Sequence, residues 1–251
     1  MRLTLTKART SLLLATAALA FGSGSVRAAP PVGIKTLAQD MWPPISRCLI
    51  RREPELVDRW LRTLPGSSRE DRLVRSAEAG FPACFDQSGF FQGASRVPVY
   101  DKAGMRAALV RALLQARRPA LPAAPPPGSD RPWYSPDPGN DAAAMIAADL
   151  GACLARKHWP NVLAIIRAVD PEIENFRYSE SRKARAARKR EAAAVDLELT
   201  KMIPSIADCV PAGAKLRIER PRLRSLLEEA AYHMTNGDPP AAAESASFKA
   251  R

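Results

Sequence analysis

The spacing of apolar positions along this chain is helical almost throughout. Val162, Ile165, Ile166 and Val169 recur at i, i+3, i+4 and i+7, which places them on one face of a helix. Leu56, Trp60 and Leu64 recur at i, i+4 and i+8. Pro54 and Pro160 stand just ahead of these faces, where a first helical turn tolerates a residue with no amide proton. Ser67-Ser68-Arg69-Glu70-Asp71 and Asp170-Pro171-Glu172 each read as a helix start, a capping residue followed by acids in the first turn. Period-two alternation is confined to Arg96–Tyr100 and Leu216–Ile218. The pattern predicts an all-α protein.

A proline-rich stretch divides the chain. Residues 118–140 contain Pro119, Pro122, Pro125, Pro126, Pro127, Pro132, Pro136 and Pro138. That density excludes regular helix and predicts a semi-rigid linker. The flanking stretches, 29–117 and 141–235, match in order. Cys48-Leu49-Ile50-Arg51 precedes Pro54 and Pro65, and Cys153-Leu154-Ala155-Arg156 precedes Pro160 and Pro171. Leu56, Val57 and Trp60 correspond to Val162, Leu163 and Ile166. A second cysteine follows in each, Cys84 and Cys209, and then a closing helix that begins Met105-Arg106 or Leu223-Arg224. Two similar small helical bundles, of about four short helices each and related by internal duplication, are expected. Residues 236–251 are mostly alanine, serine and proline without apolar period and are expected to be disordered.

The N-terminus changes the picture of where the chain works. Arg2, Lys7 and Arg9 precede an apolar run from Ser11 to Phe21, and small residues lead to Val26-Arg27-Ala28. This is the order of a secretory signal peptide, with cleavage expected after Ala28. The run is shorter than the roughly 20 apolar residues needed to span a bilayer, and no transmembrane span is expected in the mature chain. Removing residues 1–28 lowers the net charge from +12 to +8 and leaves a basic protein; over the full sequence Arg outnumbers Lys 29 to 9. Such a protein can approach anionic lipid or polymer; no nucleic-acid partner is expected.

Cys48, Cys84, Cys153 and Cys209 make an even number in an exported chain, which reads as disulfides. Four cysteines permit three connectivities. Pairing within each half, Cys48 with Cys84 and Cys153 with Cys209, respects the duplication and needs no reach across the linker. With no C-x-x-C and with His158 and His233 far apart, neither a metal nor any other cofactor is expected.

The repeated C-[LV]-x-R-x-x-P segment, with one further residue before Pro160, the second cysteine and the closing [LM]-R-x-x-L helix together resemble a group of uncharacterised exported helical proteins from alphaproteobacteria. The resemblance implies an envelope location and carries no catalytic residues.

The second half has about twenty extra residues between its cysteines, coinciding with 177–194. That stretch holds Arg177, Arg182, Lys183, Arg185, Arg188, Lys189 and Arg190 against Glu180 and Glu191, with no large aliphatic residue. Its alanine, arginine and lysine content favours a helix continuing from Pro171, and without an apolar stripe it should project into solvent. Arg182, Lys183, Arg185, Arg188, Lys189 and Arg190 are the candidate anion-binding residues. Trp133-Tyr134 could anchor a partner from the linker or fold back on the domain; the second is favoured. There is no G-x-S-x-G, H-E-x-x-H or glycine-rich phosphate loop. Glu53, Glu55, Glu172 and Glu174 fall in first helical turns, where they serve the dipole. No catalytic residues are assigned. The expected function is a non-catalytic interaction module for a protein partner in the envelope. Binding of anionic envelope polymer or lipid through the insertion is the alternative, and a cell-wall hydrolase with unrecognised carboxylates is the second.

Overall fold

A computed structural model describes residues 34–77, 83–84, 102–130, 132–134, 141–169, 182–211 and 217–236. The leader, the Pro171 helix start, residues 177–181, the Arg96–Tyr100 alternation and the tail beyond Asn236 lie outside the described residues. The described chain is helical and contains no strand; Arg217 and Ile218 are irregular. Among the described residues eight α-helices are delimited: α1 (Ile34–Arg52), α2 (Pro54–Leu61), α3 (Ser68–Ala77), α4 (Lys102–Arg117), α5 (Ala142–Lys157), α6 (Trp159–Ala168), α7 (Arg182–Met202) and α8 (Arg220–Asn236), with short 3-10 turns at Arg118–Ala120, Ile203–Ser205 and Ala207–Cys209.

Local chemistry sets most boundaries. Pro54 opens α2, and Pro160 sits in the first turn of α6. Asp141 caps α5 by accepting from the Ala143 amide at 2.9 Å. Ser67 Oγ accepts from the Glu70 amide at 3.1 Å and starts α3. The Glu70 carboxylate reaches back to the amide of Gly66 at 2.7 Å. Gly66 has φ +80°, a conformation that costs a glycine little and a residue with a Cβ much more.

Each half is stapled by one disulfide. Cys48 on α1 is bonded to Cys84, and Cys153 on α5 to Cys209, with Cα atoms 5.6 Å apart in both. That is the within-half pairing. Helix α1 packs on α4, α5 packs on α8, and α4 and α8 pack on each other. One apolar core therefore runs through both halves. It includes Ile45, Leu49, Trp60, Met105 and Leu109 from the first and Leu150, Leu154, Trp159, Ile166 and Leu227 from the second.

The described part of the proline-rich segment lies along the second half. Leu121 is in the shared core, the Pro122 carbonyl accepts from Trp159 Nε1 at 2.9 Å, and the Ser129 carbonyl accepts from Arg156 at 2.8 Å. Trp133-Tyr134 folds back: Tyr134 is buried, and its hydroxyl donates to Asp149 on α5 at 2.7 Å. Burial, then the hydrogen bond and charge of Asp149, push the Tyr134 phenol up.

Helices α5 and α8 are in tight contact at Gly151. A Cβ there would stand 2.8 Å from the Leu226 carbonyl oxygen, a backbone atom that cannot swing aside. Gly151→Ala is expected to lower the stability of the disulfide-intact protein by about 1–3 kcal/mol, as overpacking at a tight contact does. Thermal denaturation measures this, and an unchanged melting temperature would show that α5 and α8 can separate freely.

Candidate functional site

The chemistry buried deepest in the described chain is a seam of arginines and glutamates where the last helices of the two halves meet. Helix α4 carries Arg106 in the run Met105-Arg106-Ala107-Ala108-Leu109-Val110, and α8 carries Glu228-Glu229 between Leu226-Leu227 and Ala230-Ala231. Packing the apolar faces of α4 and α8 together takes these charges out of water with them. Arg106 is only 2% exposed.

Every donor of the Arg106 guanidinium is used. Nε donates to Glu229 Oε1 at 2.6 Å. Nη1 donates to the Trp60 carbonyl at 2.9 Å, to Glu70 Oε1 at 3.0 Å and to Thr63 Oγ1 at 3.2 Å. Nη2 donates to the carbonyls of Leu61 at 2.8 Å and Thr63 at 2.7 Å. The rigid planar fork suits the carbonyls gathered at the C-terminal end of α2, of which that of Trp60 also accepts from the Thr63 amide at 3.0 Å. Glu70 Oε1 also accepts from Trp60 Nε1 at 2.9 Å, so both of its oxygens are engaged.

A second junction lies beside the first. Glu228 accepts from Arg111 on α4 at 3.2 and 2.9 Å and from Arg224 one turn back on α8 at 2.8 Å. Arg224 also bonds Glu191 on α7 at 2.9 Å. Burial alone would raise both carboxyls. The charges of Arg111 and Arg224 outweigh it and hold Glu228 below the ordinary glutamate range. The charge of Arg106, with His233 as a smaller contributor, does the same for Glu229.

His233 is buried next to this seam, with Nε2 3.9 Å from Glu229 Oε1. Trp133 lies flat on its ring, with centroids 3.7 Å apart and planes within 4°. Pro65, Trp133, Ala144, Leu226 and Glu229 are among the residues around a cavity of about 10 Å³, room for one water-sized molecule. The other histidine, His158, joins α5 to α6, and its carbonyl accepts from the Asn161 and Val162 amides at 2.9 and 3.1 Å. With its oxygens and nitrogens committed to one another, the seam fixes geometry.

The candidate anion-binding residues lie elsewhere, on the N-terminal half of α7 rather than in the middle of a longer described helix. Arg182, Lys183, Arg185, Lys189 and Arg190 are exposed, and Arg188 is half-buried. The stretch does not simply project into solvent. Ala184 and Ala187 are 1% and 7% exposed and continue the buried face formed by Val195, Leu199 and Met202. Alanine needs no apolar stripe to be covered, because its small side chain lets neighbouring atoms come close to the helix backbone. The cations occupy the opposite, outer side.

Sequence reasoning missed the seam, because it weighed carboxylates by motif and helix end. The available signal was a charge inside an apolar run: Arg106 shares a helical face with Leu109, Val110 and Leu113, and Glu228-Glu229 interrupts a leucine–alanine face.

Replacing Arg106 with leucine removes the counter-charge of two buried carboxylates and a donor to the carbonyls of Leu61 and Thr63, and a loss of about 3–5 kcal/mol is expected. Arg106→Lys should recover only part of it, because a point charge cannot fill the fork. Denaturant unfolding of both variants measures this; equal stability of wild type and Arg106→Leu would refute the account. Acid should act through Glu228 and Glu229. Their folded pKa values lie below the unfolded value, so their stabilisation is complete above that value and is lost as pH falls through the folded one. The melting temperature should hold from pH 7 to about 5 and fall below about 4. Glu228→Gln should lower it at neutral pH and flatten that acid limb.

No family model matches this chain, and neither the curated proteins nor the solved structures contain a match.

Proposed function

We propose that this is an exported, non-catalytic helical module that works by binding, and that the outer face of α7 is its contact for an anionic partner. The observation that carries the reading is the separation of roles among the charges. Arg106, Arg111 and Arg224 are consumed in buried pairs that hold the helices together. Arg182, Arg185, Lys189 and Arg190 stand exposed on α7 and form no ion pair among the described residues.

Helix stability does not account for these cations. From Arg182 to Arg190 the helix holds six cations and no acid, so no neighbouring carboxylate within that run offsets their mutual repulsion. Clustered cations of one sign raise the local field and draw anions to the surface.

Export is supported by the leader-like N-terminus and by the two disulfides, which persist in oxidising compartments. Among the described residues no helix is long and apolar enough to cross a membrane. The duplicated design is supported by parallel construction. In each half a cysteine-bearing helix leads into a short helix with proline in its first turn. In each, the arginine of the closing motif bonds a glutamate on the preceding described α-helix, Arg106 to Glu70 on the short α3 and Arg224 to Glu191 on the long α7. The proline-rich segment would then join two copies that fused their cores.

Retention of the purified, disulfide-intact protein on immobilised dextran sulfate tests the reading. Replacing Arg182, Arg185, Lys189 and Arg190 with glutamine should weaken binding at least about tenfold at low salt, taking roughly 1 kcal/mol per cation as an upper scale. The melting temperature should not change, because these side chains are exposed. Added salt should narrow the gap. Equal retention of the two proteins would end the reading.

A further inference from the structure

We infer that the anionic partner of α7 is a lipid bilayer surface, on which the helix lies with its outer ridge in the headgroup layer. This rests on the binding reading above and names its partner.

Leu197 carries the argument beyond charge. It is 58% exposed on α7, on the side away from the buried face of Ala184, Ala187, Val195, Leu199 and Met202. Counting 100° per residue, Leu197 falls nearly opposite the centre of that buried face. Ala186, Arg190 and Ala193 precede it along the same ridge, at i−11, i−7 and i−4, and all are exposed. Arg182 and Lys189 flank the ridge. The outer side of α7 is thus a narrow apolar line of Ala186, Ala193 and Leu197 bordered by cations with long stems. Arginine and lysine in such a position keep their charged ends among phosphates while their methylenes follow the apolar line inward.

The acids nearby do not oppose this contact. Glu191 is bonded to Arg224, Asp196 is paired with Arg220, and Glu198 is held by Lys201 and Asn161 at 2.7 Å each. A soluble polyanion would be satisfied by the cations and would make no use of a leucine in water. A bilayer uses both, because charge brings the helix to the surface and the leucine inserts at the headgroup boundary.

Co-sedimentation of the disulfide-intact protein with phosphatidylcholine vesicles, with and without phosphatidylglycerol, tests the inference beside the dextran sulfate measurement. Wild type should bind only the phosphatidylglycerol vesicles. Leu197→Ser should bind them about five- to tenfold more weakly, the scale of losing a partly inserted leucine, while its affinity for dextran sulfate stays at the wild-type value. Leu197→Trp should show a blue-shifted emission change with anionic vesicles and none with dextran sulfate. If Leu197→Ser binds vesicles as wild type does, or if wild type binds dextran sulfate but no vesicle, the bilayer inference is overturned and the polyanion reading remains. If the fourfold glutamine variant matches wild type on both probes, the polyanion reading fails with it.

Discussion

The architecture depends on one buried guanidinium. Arg106 is the only side chain described that ties the end of α2, the start of α3 and the closing helices of both halves into one junction. A buried ion pair is weak evidence for stability in general, because removing charges from water costs about as much as their attraction returns. Here the guanidinium does more than meet a carboxylate. It also donates to three main-chain carbonyls at and just beyond a helix end, where intrahelical donors run out. Its planar fork makes the junction directional, so the helices can meet in few other arrangements.

Around that junction, covalent and non-covalent constraints divide the work. The disulfides close loops of 36 and 56 residues within the halves and stabilise each by about 4 kcal/mol in the chain-entropy model. They place no constraint between the halves. The relation of α4 to α8 is left to the shared apolar core, to the pairs Arg106–Glu229 and Arg111–Glu228, and to the aromatic cover that the proline-rich segment lays on His233. Apolar packing alone would tolerate some sliding of one helix over the other. The two ion pairs have fixed partners and resist it.

Helix α7 obeys a different logic. Its inner face is built for packing, with alanines where the cationic stretch begins and larger aliphatics where it meets α6. Its outer face does nothing to stabilise the helix, with a run of like charges unbroken by an acid and a leucine in water. A surface that costs stability without contributing to the core is where a binding function is best sought.

Local signals, acting over a few residues, were sufficient to read much of this protein from sequence. The 3.6-residue period around Val162–Val169, the prolines ahead of α2 and α6 and the capping serine of α3 all express backbone preferences that need no distant partner. Pairing of Cys48 with Cys84 and Cys153 with Cys209 followed from the repeated order of motifs. The sequence also marked the cations of α7, because a charge run is visible wherever it lies. It did not reveal that Ala184 and Ala187 would be covered, since alanine is equally at home on either side of a helix. Nor did it reveal the seam, in which Arg106 and Glu229 stand 123 residues apart. A charge in an apolar run is tolerable only if the fold delivers its counter-charge. Which partner arrives is decided by how α4 and α8 cross, and that crossing is set by packing across the whole core, including the missing side chain at Gly151.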